Sequence, residues 1–177
     1  NNKNGKLNQH STYLLDIECG PENSVAATKS FTNTCWSLYQ LSRLLKYPNC
    51  HFNVEITSLS QGISKIIKNR ETLHDASLLI KDFKHILCLG HGYNFPIAKE
   101  IALKISEVAN IHSQAMPASE VKHGMIALIN DETLSIFVLS ELDDKFARTL
   151  GNINQIKARG GKILVICDEK TASSVYN

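Results

Sequence analysis

Lys104 and Glu107 are a cation and a carboxylate three residues apart in a helical pattern. That spacing places the two side chains at neighbouring positions on the helix surface. A carboxylate beside a cation can be tuned for proton transfer when the site is closed. The pair lies on a different face of the predicted helix from the apolar residues Ile97, Ile101 and Ile105. The spacing alone therefore favours a surface ion pair over a catalytic pair.

Gly90-His91-Gly92 is a second candidate, since it follows a short apolar run and precedes a helical pattern. Free backbone N–H groups and the positive end of a helix suit an anion at such a turn. The spacing is not that of a complete dinucleotide-binding motif, because Phe95 stands where the third glycine would be. Two interpretations stay open, an anion site and a pair of glycines that only permit a tight turn.

His112 and His123 flank a third candidate, the segment 113–122, which is polar and has no regular period. A polar, irregular segment between apolar strands is often a functional loop. The alternative is a plain connection with exposed histidines. The remaining histidines show no ligand spacing, so no metal site is predicted.

Composition excludes several functional classes. The net charge of the 177 residues is +2, without the clustered Lys and Arg of a nucleic-acid surface. No apolar stretch approaches the roughly 20 residues of a membrane span. The five cysteines are scattered and form no Cys-x-x-Cys motif, which predicts a reducing, cytoplasmic environment and neither a disulfide scaffold nor a zinc site.

The elements that must position these residues follow from the apolar periodicity. Three helices are predicted in the first half of the chain, followed by short apolar strands that alternate with helices. The helices are expected at about 25–45, 54–67, 71–80, 96–109 and 143–158, and the strands at about 85–89, 111–115, 134–139 and 162–167. Such alternation predicts an α/β fold, a three-layer αβα sandwich with a mainly parallel, flavodoxin-like sheet. Sheets of this kind bind ligands at the carboxyl ends of their strands.

Three runs along the chain carry a family resemblance. IAKEIALKISE at 97–107, IHSQA at 111–115 and ASEVKHG at 118–124 resemble the second sugar-isomerase (SIS) domain of the glucosamine-6-phosphate synthases, the glutamine–fructose-6-phosphate aminotransferases. GPENSVAATKSFT at 20–32 is similar to the end of the first SIS domain in the same proteins. Its Gly-Pro-Glu start is also similar to SIS-type glucosamine-6-phosphate deaminases. The resemblance covers roughly residues 17–167.

The resemblance implies proton transfer between C1 and C2 of an open-chain hexose 6-phosphate, without a cofactor. On matching positions, Glu107 is the acid/base and Lys104 stabilises the developing negative charge. His123 matches the histidine that opens the sugar ring in the site of a neighbouring subunit, which implies a homodimer with a shared site. The expected substrate-binding residues are Glu22 and Val25, with Gly90 and Gly92 at the turn described above.

The chain also departs from the family pattern. The serine-rich phosphate loop of the Ser-x-Ser-Gly-x-Thr kind, the glutaminase domain and the C-terminal tail with a reactive lysine are absent from this sequence. We therefore expect a polar, disordered segment at 1–12, the end of a first SIS domain with a helical linker at 13–80, and most of a second SIS domain at 81–177. The expected activity of the chain by itself is weak or absent. A deaminase, a non-catalytic phosphosugar-binding module and a degenerate remnant are the alternatives.

Overall fold

A computed structural model of the protein describes residues 5–140 and 145–176. The chain divides into two compact units, residues 1–70 and 71–177. Among the described residues, no helix combines the length and the apolarity that crossing a bilayer requires.

The first unit is helical. A short 3-10 helix at Lys6–His10 stands where the sequence analysis expects disorder, and α1 (Lys29–Lys46) and α2 (Asn53–Lys68) follow. Trp36 and Tyr39 stack with ring centroids 5.5 Å apart, and Phe52 meets both rings edge-on. This aromatic cluster joins α1 to the residue that precedes α2.

The second unit contains all of α3 (Arg70–Ile80) except its first residue and is built on a four-stranded, wholly parallel sheet. The strands are β1 (His85–Gly90), β2 (His112–Pro117), β3 (Thr133–Val138) and β4 (Lys162–Ile166), in the order β2-β1-β3-β4. The connecting helices are α4 (Asn94–Lys104), which continues as a π-helical turn at Ile105–Ala109, and α5 (Phe146–Ala158), with α6 (Glu169–Tyr176) after β4. Two 3-10 helices, Ala118–His123 and Met125–Leu128, link β2 to β3.

Helices cover both faces of this sheet, because each strand presents apolar side chains to both sides. Ile86 and Ile136 pack against Ala98 and Ala102 of α4 on one face. On the other face, Leu89 and Phe137 lie in one core cluster with buried residues of α5, namely Ile153 and Ile156. The predicted three-layer α/β sandwich is confirmed.

Two helices begin at residues other than the predicted ones. α1 begins at Lys29 instead of near Val25, because the residues before it form the cap described below. α4 begins at Asn94 instead of near Pro96, which is its third residue. Proline has no N–H, and it is tolerated there because the N–H groups of the first turn have no partner within the helix. The predicted start of the helix at 143 lies outside the described residues.

The segment 113–122 is not an irregular loop, so that prediction is wrong. Its first half extends β2 to Pro117, and its second half is the first of the two 3-10 helices. Ala118 and Val121 are both buried in the core beside α5. The sequence pattern misses this because one short strand and one short 3-10 helix share no single period.

Candidate functional site

Lys104 and Glu107 form an ion pair in the structure. The Lys104 ammonium donates a hydrogen bond to Glu107 Oε2 at 2.8 Å and lies 3.3 Å from Glu100 Oε1. The hydrogen bond to Glu107 is the main cause that raises the pKa of Lys104, and Glu100 adds to the effect. The side chains of Lys104 and Glu107 are 25% and 33% exposed, so both remain accessible to a ligand.

Glu107 lies on the π-helical turn, whose wider winding points its side chain differently from a continuous α-helix. Turns of this kind are frequent at functional sites. The Ser113 hydroxyl of β2 donates to the Ala102 carbonyl at 2.5 Å and lies 2.8 Å from the Ser106 hydroxyl. Asn110 then ends the turn in the left-handed conformation, with φ of 56°. Serine hydroxyls therefore tie the turn to the edge strand and fix its position.

The ion pair stands at the amino edge of the sheet, where the strands begin. α4 starts beyond the carboxyl end of β1 and runs back along the sheet to the start of β2. At 1.5 Å per residue, the helix separates Gly92 from Glu107 by about 20 Å. The second unit therefore does not bring the predicted glycine turn and the predicted acid/base together.

His123 ends the 3-10 helix after β2 and is exposed. Within the part of the chain that the structure describes, no hydrogen bond or ion pair joins His123 to Lys104 or Glu107. The His123 imidazole is accessible to solvent, and its role in opening the sugar ring in a neighbouring copy stays a prediction.

The two glycines of the turn after β1 differ in their surroundings. A Cβ atom on Gly90 would lie 2.5 Å from the Asn94 carbonyl oxygen, so this glycine permits the close approach of α4. Gly92 has a positive φ of 53° and nothing within 4 Å of a Cβ atom. The geometry at Gly90 favours the tight-turn interpretation, and the space at Gly92 is compatible with a ligand.

Glu22 caps the first turn of α1. Its Oε1 accepts from the Thr28 backbone N–H at 3.0 Å and from the Thr28 hydroxyl at 2.9 Å, and its Oε2 accepts from the Ser30 hydroxyl. These bonds, the one from the Ser30 hydroxyl first, lower the pKa of Glu22 to about 2. Val25, within the loop that this cap closes, is 89% exposed. Glu22 thus shapes the loop, and Val25 is the residue of the two that a ligand can reach.

Three recesses of the second unit are lined by other residues. A cavity of about 440 Å³ opens at the amino edge beside His85, His112 and Gln114. Asp82, Asp131 and Glu132 line a neighbouring recess. A third recess lies beside Ser119, Lys122 and Arg148 near the start of α5. Neither Lys104 nor Glu107 lines any of these three.

The proximity of His85 and His112 was not predicted from the sequence. The two residues are 27 positions apart and belong to no recognisable motif. They are partners in the parallel register of β1 and β2. Register would have revealed the pair, because the first predicted strand begins at His85 and the second begins at Ile111, one residue before His112.

Comparison with known proteins identifies related chains. The SIS domain family model matches residues 79–176. A glutamine–fructose-6-phosphate aminotransferase (isomerizing) of Chlorobaculum tepidum is 35% identical over 157 residues, which are 85% of this chain and 25% of that protein. The protein of the same name from Mesorhizobium japonicum is 33% identical over 183 residues, with coverages of 99% and 30%. The chain thus spans between a quarter and a third of the length of these relatives.

Solved structures give a consistent picture. The C-terminal domain of glucosamine-fructose-6-phosphate aminotransferase from Francisella tularensis superposes with a TM-score of 0.82 and 29% identity, covering 98% of this chain and 51% of that one. A glucosamine-6-phosphate deaminase from Thermotoga maritima shares the fold, with a TM-score of 0.58, 23% identity and coverages of 85% and 45%. The resemblance stated from the motifs is therefore confirmed. Because the family model matches more than half of its residues, the chain belongs to the SIS domain family.

Proposed function

We propose that this chain is part of a phosphosugar isomerase or aminotransferase of amino-sugar metabolism that acts on fructose 6-phosphate and glucosamine 6-phosphate. The observation that carries the proposal is the ion pair of Lys104 and Glu107, with 2.8 Å between the ammonium nitrogen and the carboxylate oxygen, at the matching family positions. The names of the relatives support the substrate class.

In the proposed mechanism, Glu107 moves a proton between C1 and C2 of the open-chain sugar. The carboxylate takes the proton from one carbon and returns it to the other, which a group in contact with the substrate can do as general base and then general acid. The ammonium of Lys104 stabilises the negative charge that develops on the sugar oxygen while the proton is on Glu107. The pair is accessible enough for a sugar to approach it.

The remaining site residues complete the proposal. His123 opens the sugar ring in the site of a neighbouring copy, because an imidazole can both accept and donate a proton. Val25 contacts the sugar from the loop that Glu22 holds in shape, whereas Gly92 lies about 20 Å along the helix from Glu107 and is left out of this site. The exposure of Leu38 (56%) and Leu45 (79%) on α1 supports a homodimer, because a second copy can cover these apolar side chains.

We further propose a cytoplasmic location, since all five cysteines are free thiols. We also propose that the chain by itself turns over slowly. A phosphate-binding serine loop supplies remote binding energy that positions the sugar, and the 177 residues contain no such loop.

Incubation of the protein with fructose 6-phosphate and ammonia, and separately with glucosamine 6-phosphate, tests the function. We expect slow formation of glucosamine 6-phosphate in the first reaction or of fructose 6-phosphate in the second. Robust turnover would show that another phosphate site exists and would contradict the expected impairment.

A deaminase is the second candidate, favoured by the Gly20-Pro21-Glu22 sequence. It uses the same residues in the reverse direction, so a rate measurable only from glucosamine 6-phosphate would favour it. A non-catalytic module is favoured by the absence of Lys104 and Glu107 from the three recesses. Saturable binding of a sugar phosphate with no turnover in either direction would favour the module.

A further inference from the structure

A basic recess lies at the carboxyl ends of the strands of the second unit, away from the ion pair described above. His91 borders it directly after β1, and Ser119 and Lys122 border it from the 3-10 helix that follows β2. Arg148 borders it from the first turn of α5, which follows β3. β2 and β3 lie on opposite sides of β1 in the sheet. Parallel sheets bind ligands at such a switch point, outside the carboxyl ends of the strands.

The charges of the recess favour an anion. Three cationic side chains line it, those of Lys122, Lys145 and Arg148, and no Asp or Glu is among the lining residues that the structure describes. A concave surface lined by charges of one sign raises the local concentration of counter-ions. The positive end of the α5 dipole adds to this charge, because α5 begins at Phe146. The recess therefore attracts negatively charged groups.

Two polar side chains that line the recess are almost fully buried, Thr149 with 2% exposure and Asn152 with 7%. Asn152 Nδ2 donates to the Ala118 carbonyl at 2.7 Å, and the Thr149 hydroxyl donates to the Lys145 carbonyl at 3.2 Å. An amide nitrogen carries two hydrogens, and the bond to Ala118 uses one of them. Asn152 is thus held in place by the 3-10 helix and has a second N–H to donate to a ligand.

The size and the charge of the recess indicate which anion it takes. Its volume of about 230 Å³ is below the roughly 300–1,000 Å³ of pockets for drug-sized ligands, so the ligand is small. A phosphate group carries about 1.5–2 negative charges at neutral pH, which matches three cations better than the single charge of a carboxylate. The guanidinium of Arg148 can also donate to two phosphate oxygens at once.

We propose that this recess binds the phosphate group of a small ligand, with Lys122, Arg148 and Asn152 as its donors. The group belongs either to inorganic phosphate or to a small phosphomonoester, which the recess would hold by the same contacts. The site lies at the carboxyl edge of the sheet, whereas Glu107 lies at the amino edge. It is therefore a second site of this unit, and the proposal does not rest on the proposed function.

Calorimetric titration of the full chain with inorganic phosphate, and separately with glycerol 3-phosphate, tests the site at constant ionic strength. Arg148→Gln and Lys122→Gln should each weaken the binding about tenfold, as expected for the loss of a hydrogen bond between charged groups. Arg159→Gln and Lys157→Gln are the matched controls and should bind as the wild type does, because both residues are exposed at the other end of α5.

The two titrations also distinguish the source of the phosphate group. Tighter binding of glycerol 3-phosphate would assign the recess to a phosphomonoester, and tighter binding of inorganic phosphate would assign it to the free ion. Equal phosphate affinities of Arg148→Gln and Arg159→Gln would overturn the proposal. Acetate that binds as tightly as phosphate would also overturn it, because the recess would then collect any anion.

The side-chain amide of Asn152 reports where the ligand lies. We expect its ¹⁵N–¹H resonances to shift with phosphate in the wild type and equally in Glu107→Gln, which separates this site from the proposed catalytic one. Ser119→Asp adds a carboxylate to the recess at an exposed position and should abolish the binding, with circular dichroism as the check on folding. Phosphate binding without a response of the Asn152 amide, or no binding by the wild type, would refute the proposal.

Discussion

Replacement of Gly90 by alanine tests whether this residue serves the fold or the ligand. The added Cβ atom would lie 2.5 Å from the Asn94 carbonyl oxygen, 2.6 Å from its carbon and 2.8 Å from the Phe95 nitrogen, where ordinary contacts begin near 3.4 Å. All three atoms belong to the backbone of the first turn of α4 and cannot rotate away. Overpacking of this kind costs about 1–3 kcal/mol. Because three backbone atoms must move together, we expect a loss of about 3 kcal/mol in the free energy of unfolding of the second unit.

Substitutions at two other glycines provide reference values for this loss of stability. Gly92→Ala meets no atom within 4 Å but must adopt a φ of 53°, so its expected cost is about 1–2 kcal/mol. Gly151→Ala lies in the open within α5 and should stabilise the unit by about 0.5–1 kcal/mol, because alanine loses less backbone entropy than glycine in a helix. From the most to the least stable, the expected order is therefore Gly151→Ala, wild type, Gly92→Ala and Gly90→Ala.

Amide hydrogen exchange of β1 measures these differences in the second unit, since Trp36, the single tryptophan, reports on the first unit. A Gly90→Ala protein as stable as the wild type would refute the argument from close approach. If that stable protein also bound sugar phosphates less tightly, Gly90 would belong to the substrate site instead.

Three further predictions concern single side chains. Glu22 has a folded-state pKa of about 2, below its ordinary value of 4.5. Its contribution to stability is therefore full above about pH 4.5 and is lost as the pH falls toward 2. Glu22→Gln should remove this part of the acid unfolding curve, followed by Trp36 fluorescence, and an unchanged curve would show that the cap is not formed. Ser135 is fully buried, and its hydroxyl has no hydrogen-bond partner among the described residues. In urea unfolding, Ser135→Ala should therefore leave the free energy of unfolding unchanged or raise it by up to about 1 kcal/mol. A clear loss of stability would indicate that the hydroxyl has a partner. Burial raises the pKa of the Cys88 thiol to about 12. Cys88 should therefore resist alkylation in the folded protein while the exposed Cys35 reacts. Equal labelling of the two cysteines, measured by mass spectrometry, would contradict the burial of Cys88.

The sheet was predictable from the sequence because its strands are short apolar runs between helical patterns. The run at 85–89 becomes β1 with a single added residue, Gly90. Buried strands leave this signal regardless of their neighbours, and the order of the helices then fixes a parallel sheet. The layer architecture follows from the same pattern.

The candidate site was predictable only in part. The motif supplied Lys104 and Glu107, and their i, i+3 spacing predicted the ion pair that the structure contains. The π-helical turn was not predictable, because it depends on a hydroxyl of Ser113 from the next strand. Similarly, the pairing of His85 with His112 depends on strand register, and the capping role of Glu22 depends on a loop that folds back on α1. Contacts between distant segments leave no local pattern.

Exchange of solvent deuterium into fructose 6-phosphate tests the central claim, proton transfer by Glu107, most directly. The measurement detects proton transfer at C1 even where net turnover is slow. We expect slow incorporation of deuterium by the wild-type chain at saturating substrate, a loss of about 10²–10⁴-fold in Glu107→Gln, as for removal of a general acid/base, and an unchanged rate in Glu71→Gln, an exposed carboxylate of α3. Incorporation at the same rate in Glu107→Gln and the wild type would contradict the account, and no incorporation by the wild type would contradict catalysis by this chain.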